Sequence, residues 1–182
     1  MYWYHKVFEI SIRGEMGISI EIRKVYKESF PALRFIGKRY TDKDDIGAKW
    51  GEWHQNGWFD EIETLGASPE NDDAYLGAKR IQNGELEYWI GMFFPAGTNA
   101  PEGFVSVDIA PLDVATCWVY GNDPGELSGF DAHNQCLAEL PKHNFVRKED
   151  DWCFERYNCP RFISPDEQGN VILDYCISIE HA

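Results

Sequence analysis

The chain is poor in positive charge. Lys and Arg total 17 against 31 Asp and Glu, a formal net charge of -14 over 182 residues. A surface of that sign repels phosphate backbones and anionic headgroups, so direct binding of nucleic acid or of a membrane surface is not expected. No apolar run approaches the roughly 20 residues of a bilayer-spanning helix, and the N-terminus does not read as a secretory signal. Five cysteines, Cys117, Cys136, Cys153, Cys159 and Cys176, form an odd set with no C-x-x-C pair. That pattern excludes a tidy disulfide framework and points to free thiols in a reducing cytoplasm.

The common cofactor signatures are missing as well. No G-x-G-x-x-G, Walker loop or G-x-S-x-G occurs, and the five histidines, His5, His54, His133, His143 and His181, show no short ligand spacing. No cofactor and no metal are therefore expected. His133 and Cys136 are one helical turn apart, but an ordinary amphipathic helix accounts for them. The acids Asp42, Asp44 and Asp45 lack the offsets of a calcium loop and read as a helix cap.

Aromatic residues are what the chain has in abundance: 15% of it, with seven Trp and nine Tyr. Such residues fill cores and also line ligand cavities. The densest company surrounds one carboxylate, in Asp151-Trp152-Cys153-Phe154-Glu155-Arg156-Tyr157. As a strand, this stretch turns Cys153, Glu155 and Tyr157 to one face and Trp152, Phe154 and Arg156 to the other. Glu155 then either reaches solvent or lies in an apolar recess, where its charge is disfavoured until a cation or a donor arrives.

Along the chain, alternating residues 7–25 around the Gly14 to Gly17 break read as a hairpin, and residues 32–40 as a further strand. A helix capped at Thr41 carries Ile46, Trp50 and Trp53 on one stripe, ends or kinks at Gly57 and resumes to Leu65. Residues 74–79 and 86–94 flank Asn83-Gly84, a hairpin signal. After the turn-rich residues 95–103 the order recurs: extended 104–108 and 114–120, a helix over 124–140 with Leu127, Phe130, Leu137 and Leu140 on its apolar side, then strands over 151–157 and 171–179. The fold class expected is α+β, a duplicated strand-helix-strand-strand unit forming an antiparallel sheet with two main helices and a groove at the junction. One domain would cover 1–182, with a hairpin extension at 1–30 and repeats at 31–95 and 104–182.

Tyr75-Leu76-Gly77-Ala78, Glu87-Tyr88-Trp89-Ile90-Gly91, Pro101-Glu102-Gly103-Phe104 and Ile109-Ala110-Pro111-Leu112-Asp113-Val114-Ala115 resemble the middle of GyrI-like small-molecule-binding domains, the effector-binding halves of multidrug-responsive transcription regulators. Phe154-Glu155-Arg156-Tyr157 is similar to their late F-E-x-Y signature. The resemblance implies that Glu155 faces an aromatic-lined cavity for a lipophilic cation, with Tyr157 beside it. Trp50, Trp53, Tyr75, Trp89, Trp118 and Tyr120, chosen by pattern, are the expected walls. Residues 1–30 are too short and strand-like for a helix-turn-helix, so a stand-alone small-molecule-binding member is expected. The alternatives are a hydrolase of cyclopropane-containing DNA alkylators, with Glu155 as general base and Tyr157 as proton donor, and an acidic module that binds a protein partner such as a topoisomerase.

Overall fold

The computed structural model describes residues 20–66, 68, 74–157 and 160–180. Most of the hairpin expected over residues 7–25 therefore lies outside the described residues. The strands are β1 (Glu21–Phe30), β2 (Leu33–Tyr40), β3 (Leu76–Gln82), β4 (Glu85–Pro95), β5 (Val105–Ile109), β6 (Leu112–Gly121), β7 (Cys153–Arg156) and β8 (Val171–Ile179). The helices are α1 (Ile46–Gln55), α2 (Trp58–Glu63), α3 (Pro124–Ser128), α4 (Phe130–Glu139) and α5 (Pro160–Ile163). Asn83 and Gly84 both take positive φ, 54° and 80°, the two-residue turn that matches the twist of strands β3 and β4.

Among the described residues, all eight strands join one antiparallel sheet in the order β1-β6-β8-β7-β3-β4-β2-β5. Exchanging β1 with β5, β2 with β6, β3 with β7 and β4 with β8 turns this order into its own reverse. The fold is thus a duplication about a pseudo-twofold between β3 and β7. Each copy is one strand longer than the expected unit, because the leading strand of each pairs with the other copy: β1 with β6, and β5 with β2.

The connections decide the shape of the sheet. In a flat sheet, β1 and β2 would be six strand spacings apart, roughly 29 Å at about 4.8 Å each. Phe30 and Leu33 are three peptide units apart, a reach of at most about 11 Å. The sheet therefore curls, and the same constraint acts between Ile109 and Leu112. Inside the curl lie Phe30, Leu33, Phe35, Leu76, Trp89, Phe93, Phe154 and Leu112, all buried. The helices cover the outer face in two layers. Trp53, Phe59 and Ile62 of α1 and α2 pack on Ile36, Ile90, Met92 and Phe94, and Leu127, Ala132 and Cys136 of α3 and α4 pack on Cys117, Val119, Leu173 and Tyr175.

Three local expectations are corrected. The cap of α1 is Asp45, whose Oδ1 accepts from Ala48 N at 3.1 Å, while Thr41 N donates to Asp44. A cap side chain accepts from an orphan N–H three residues further on, and Thr41 lies before the cap position, too early in the chain to reach the first turn. The helix expected over 124–140 breaks at Gly129, where the backbone is extended (ψ -177°), and the chain continues as a 3-10 turn, Leu140–His143. Phe130, placed on the apolar side by pattern, is 45% exposed because the break resets the helical phase.

Candidate functional site

The two helix layers leave the middle strands, β3 and β7, between them. Glu155 stands at this centre on β7, 1% exposed. Its in-register neighbours are Gly77 on β3 and Tyr175 on β8. Across Gly77, Tyr88 of β4 brings its hydroxyl to 3.4 Å from Glu155 Oε2, and Lys79 Nζ lies 3.2 Å from Oε1. Tyr175 lies beneath the lysine, with Lys79 Nζ 5.0 Å from its ring centroid.

Gly77 makes this arrangement possible. A β-carbon there would lie 2.2 Å from Tyr88 Oη and 2.5 Å from Glu155 Oε2. Glycine within a strand commonly marks such a close approach. On the far side of Tyr88, Trp50 of α1 directs its Nε1 to the Tyr88 hydroxyl at 3.4 Å. The Trp50 ring meets Tyr157 edge-on at 4.8 Å.

Burial dominates the electrostatics. Desolvation raises the carboxyl pKa of Glu155 above its ordinary value, opposed chiefly by the Lys79 charge. The phenols of Tyr88 and Tyr175 are pushed well above theirs by desolvation, then by the Glu155 charge, and Tyr157 follows for the same reasons. These hydroxyls therefore keep their protons at neutral pH and act as hydrogen-bonding groups. Below Tyr175, His133 Nδ1 shares a 2.9 Å hydrogen bond with the tyrosine hydroxyl. Burial pushes His133 down to about 3, so its ring is neutral.

The residues expected at the site divide. Trp50 and Tyr157 gather with Glu155. Tyr75 is nearby: its carbonyl accepts from Tyr157 N at 2.9 Å, its ring stacks on Phe59 at 3.8 Å, and its hydroxyl donates to Glu63. Trp53 is fully buried beneath α1, where its Nε1 donates to Tyr40 at 3.0 Å, so it is core. Trp89, Trp118 and Tyr120 are on the other face of the sheet, inside the curl or at its rim, and do not wall the Glu155 region. Trp89 alternates with Tyr88 and packs edge-on against Phe35. Trp118 sits edge-on to Tyr26 under the Arg161 guanidinium. The Tyr120 hydroxyl donates to Asp166 at 2.6 Å.

Pattern reading missed Lys79, Tyr88, Gly77 and Tyr175. The signal for Tyr88 was its adjacency to Trp89: in a strand, only one residue of such a pair faces the helices. Arg156, next to Glu155, points the opposite way, to Glu28 at 2.7 Å and Asp174 at 2.9 Å, and Arg161 reaches the same Asp174. His133 and Cys136 do not converge on a shared site, since His133 serves Tyr175 and the Cys136 thiol is hydrogen-bonded with Cys117. Among the described residues no group of three or more His, Cys, Asp or Glu is placed to hold a metal. Nor, among them, is any helix long and apolar enough to cross a membrane.

No family model and no curated protein sequence matches the chain. Among solved structures, it is similar to a Staphylococcus aureus MU50 protein assigned to bacterial transcription regulation, with TM-score 0.63, 14% identity, and 87% of this chain and 99% of that one covered. It is also similar to SAV2435 bound to tetraphenylphosphonium, with TM-score 0.65, 13% identity, and 86% and 94% covered. A third is the C-terminal domain of EcmrR, with TM-score 0.55, 12% identity, and 87% and 98% covered. At these identities the likeness is one of fold: the chain has the α+β architecture of these proteins, with its eight-stranded antiparallel open sheet.

Proposed function

We propose that this chain is a small-molecule-binding protein that takes a lipophilic, cationic or aromatic ligand between its two helix layers, against Glu155. The observation that carries the proposal is a fully buried carboxylate on the central strand pair, surrounded by Tyr88, Tyr175, Tyr157 and Trp50. Burying such a charge is costly unless it is matched, and Lys79 Nζ, 3.2 Å from Oε1, matches it when no ligand is bound. A cationic ligand matches it, and each aromatic face adds about 0.5 to 2 kcal/mol through cation–π contact. SAV2435, which shares the fold, holds a lipophilic cation of this kind, and tetraphenylphosphonium is therefore the probe of choice.

Binding is favoured over hydrolysis by the geometry of Glu155. Oε1 is engaged by Lys79 and Oε2 by Tyr88, which leaves the carboxylate poorly placed to take a proton from water. Tyr157, the expected proton donor, packs its ring between Trp50 and Phe162. Calorimetric titration with tetraphenylphosphonium tests the proposal: the parent binds at one site, and Glu155→Gln binds about tenfold more weakly or worse. Equal affinity of the two proteins overturns it.

A further inference from the structure

We infer that Lys79 is a built-in occupant of the cation seat, which an incoming ligand must displace, and that this side chain sets both the affinity and the class of ligand. The inference rests on Glu155 being the binding carboxylate. Lys79 Nζ has the two contacts a ligand cation needs: Glu155 Oε1 at 3.2 Å and the π face of Tyr175 at 5.0 Å. The register shows that the lysine reaches this position sideways. Its direct partner across the β3–β7 ladder is Cys153, two residues before Glu155, so the ammonium arrives diagonally along the sheet.

The seat can be vacated. The Lys79 side chain is 24% exposed while that of Glu155 is 1% exposed. The lysine stem is flexible and its head group is readily rehydrated, whereas the carboxylate is held inside on a central strand. With Lys79 in place the pair is neutral. A second cation beside it would put two positive charges on one carboxylate, so a bound cation drives the ammonium outward.

Displacement also selects the chemistry of the ligand. When Lys79 leaves, a fully buried carboxylate oxygen loses an N–H donor, and a buried acceptor left unsatisfied is penalised. A protonated primary amine restores the donor, and a quaternary cation cannot. The seat therefore favours a protonated amine carried on an aromatic body over a quaternary ion of similar size.

The test uses a matched pair of probes, 4-phenylbenzylammonium and its N,N,N-trimethyl analogue, titrated calorimetrically into the parent, Lys79→Met and Glu155→Gln. The expected result is that the parent prefers the primary ammonium, that Lys79→Met binds both probes roughly fivefold more tightly, the upper end for a partly exposed ion pair, and that Glu155→Gln loses affinity for both. If Glu155→Gln loses affinity while Lys79→Met binds no better than the parent, the displacement inference is overturned and the receptor reading stands. If Glu155→Gln binds as the parent does, the receptor reading itself fails. Equal affinity of the parent for the two probes overturns the selection for N–H donors. Should Lys79→Met fail to fold by circular dichroism, Lys79→Gln, which keeps an N–H donor and removes the charge, carries the same comparison.

Discussion

Gly77 and Glu155 face each other directly across the β3–β7 ladder, and the missing side chain of the glycine is the space in which the Tyr88 hydroxyl reaches the carboxylate. A β-carbon at residue 77 would stand 2.2 Å from Tyr88 Oη and 2.5 Å from Glu155 Oε2. The closeness is therefore a property of one residue with no side chain, placed at the pseudo-twofold of the sheet.

Gly77→Ala should therefore lose stability where a strand glycine replaced by alanine ordinarily gains about 0.5 to 1 kcal/mol. The expected loss is about 1 to 3 kcal/mol, the scale of overpacking, measured by urea unfolding. Tetraphenylphosphonium affinity falls with it, because Tyr88 and Glu155 are forced apart. A more stable variant would show that the contact is relieved at no cost.

Glu155 has a carboxyl pKa raised by burial above its ordinary 4.5, with Lys79 pulling it back. The folded state thus holds the proton more tightly than the unfolded chain. The contribution to stability is complete below 4.5 and is lost as pH rises through the folded value. Glu155→Gln, which mimics the neutral acid, should gain in melting temperature relative to the parent as pH is raised from about 4.5 to about 7.5. A difference that is flat across that range contradicts the assignment.

His133 acts with the opposite sign. Its folded pKa is pushed from 6.5 down to about 3, first by burial and then by Lys79 and Arg147. Stability is present above 6.5 and is lost as pH falls toward 3. Between about pH 6.5 and about pH 4.5 the loss is on the order of 2 kcal/mol. His133→Gln should show a correspondingly smaller acid loss by urea unfolding at the two pH values, and an unchanged slope would remove His133 as the cause.

The two faces of the sheet should separate in mutagenesis. Trp89→Phe, inside the curl against Phe35 and Trp152, is expected to lose about 1 to 3 kcal/mol of stability with tetraphenylphosphonium affinity unchanged. Trp50→Phe, which removes the N–H directed at Tyr88, should lower affinity severalfold with a smaller loss of stability. Parallel losses of affinity in both variants would mean that the faces are not independent.

The sequence was most legible where the rule is local. Asn83-Gly84 marked a two-residue hairpin because few other pairs accept positive φ twice in succession, and the strand over 171–179 appears with those limits as β8. The break at Gly129 was invisible because the apolar spacing of residues 124–140 continues across it. That Trp89, Trp118 and Tyr120 lie on the face opposite Glu155 was not legible for a different reason. Alternation separates two sets of side chains, but β4, β6 and β8 are buried on both faces, so no polar set shows which side meets the helices.

By itself the sequence determined the fold class, the doubled order of elements and the separation of Glu155 from Phe154 and Arg156, since each follows from spacing along one strand or helix. Only the tertiary structure decided that Lys79, Tyr88 and Tyr175 converge on Glu155, and that β1 and β5 exchange between the two halves. Those relationships come from backbone hydrogen bonds between distant segments and from the curl that two short connections impose, and neither leaves a period in the chain.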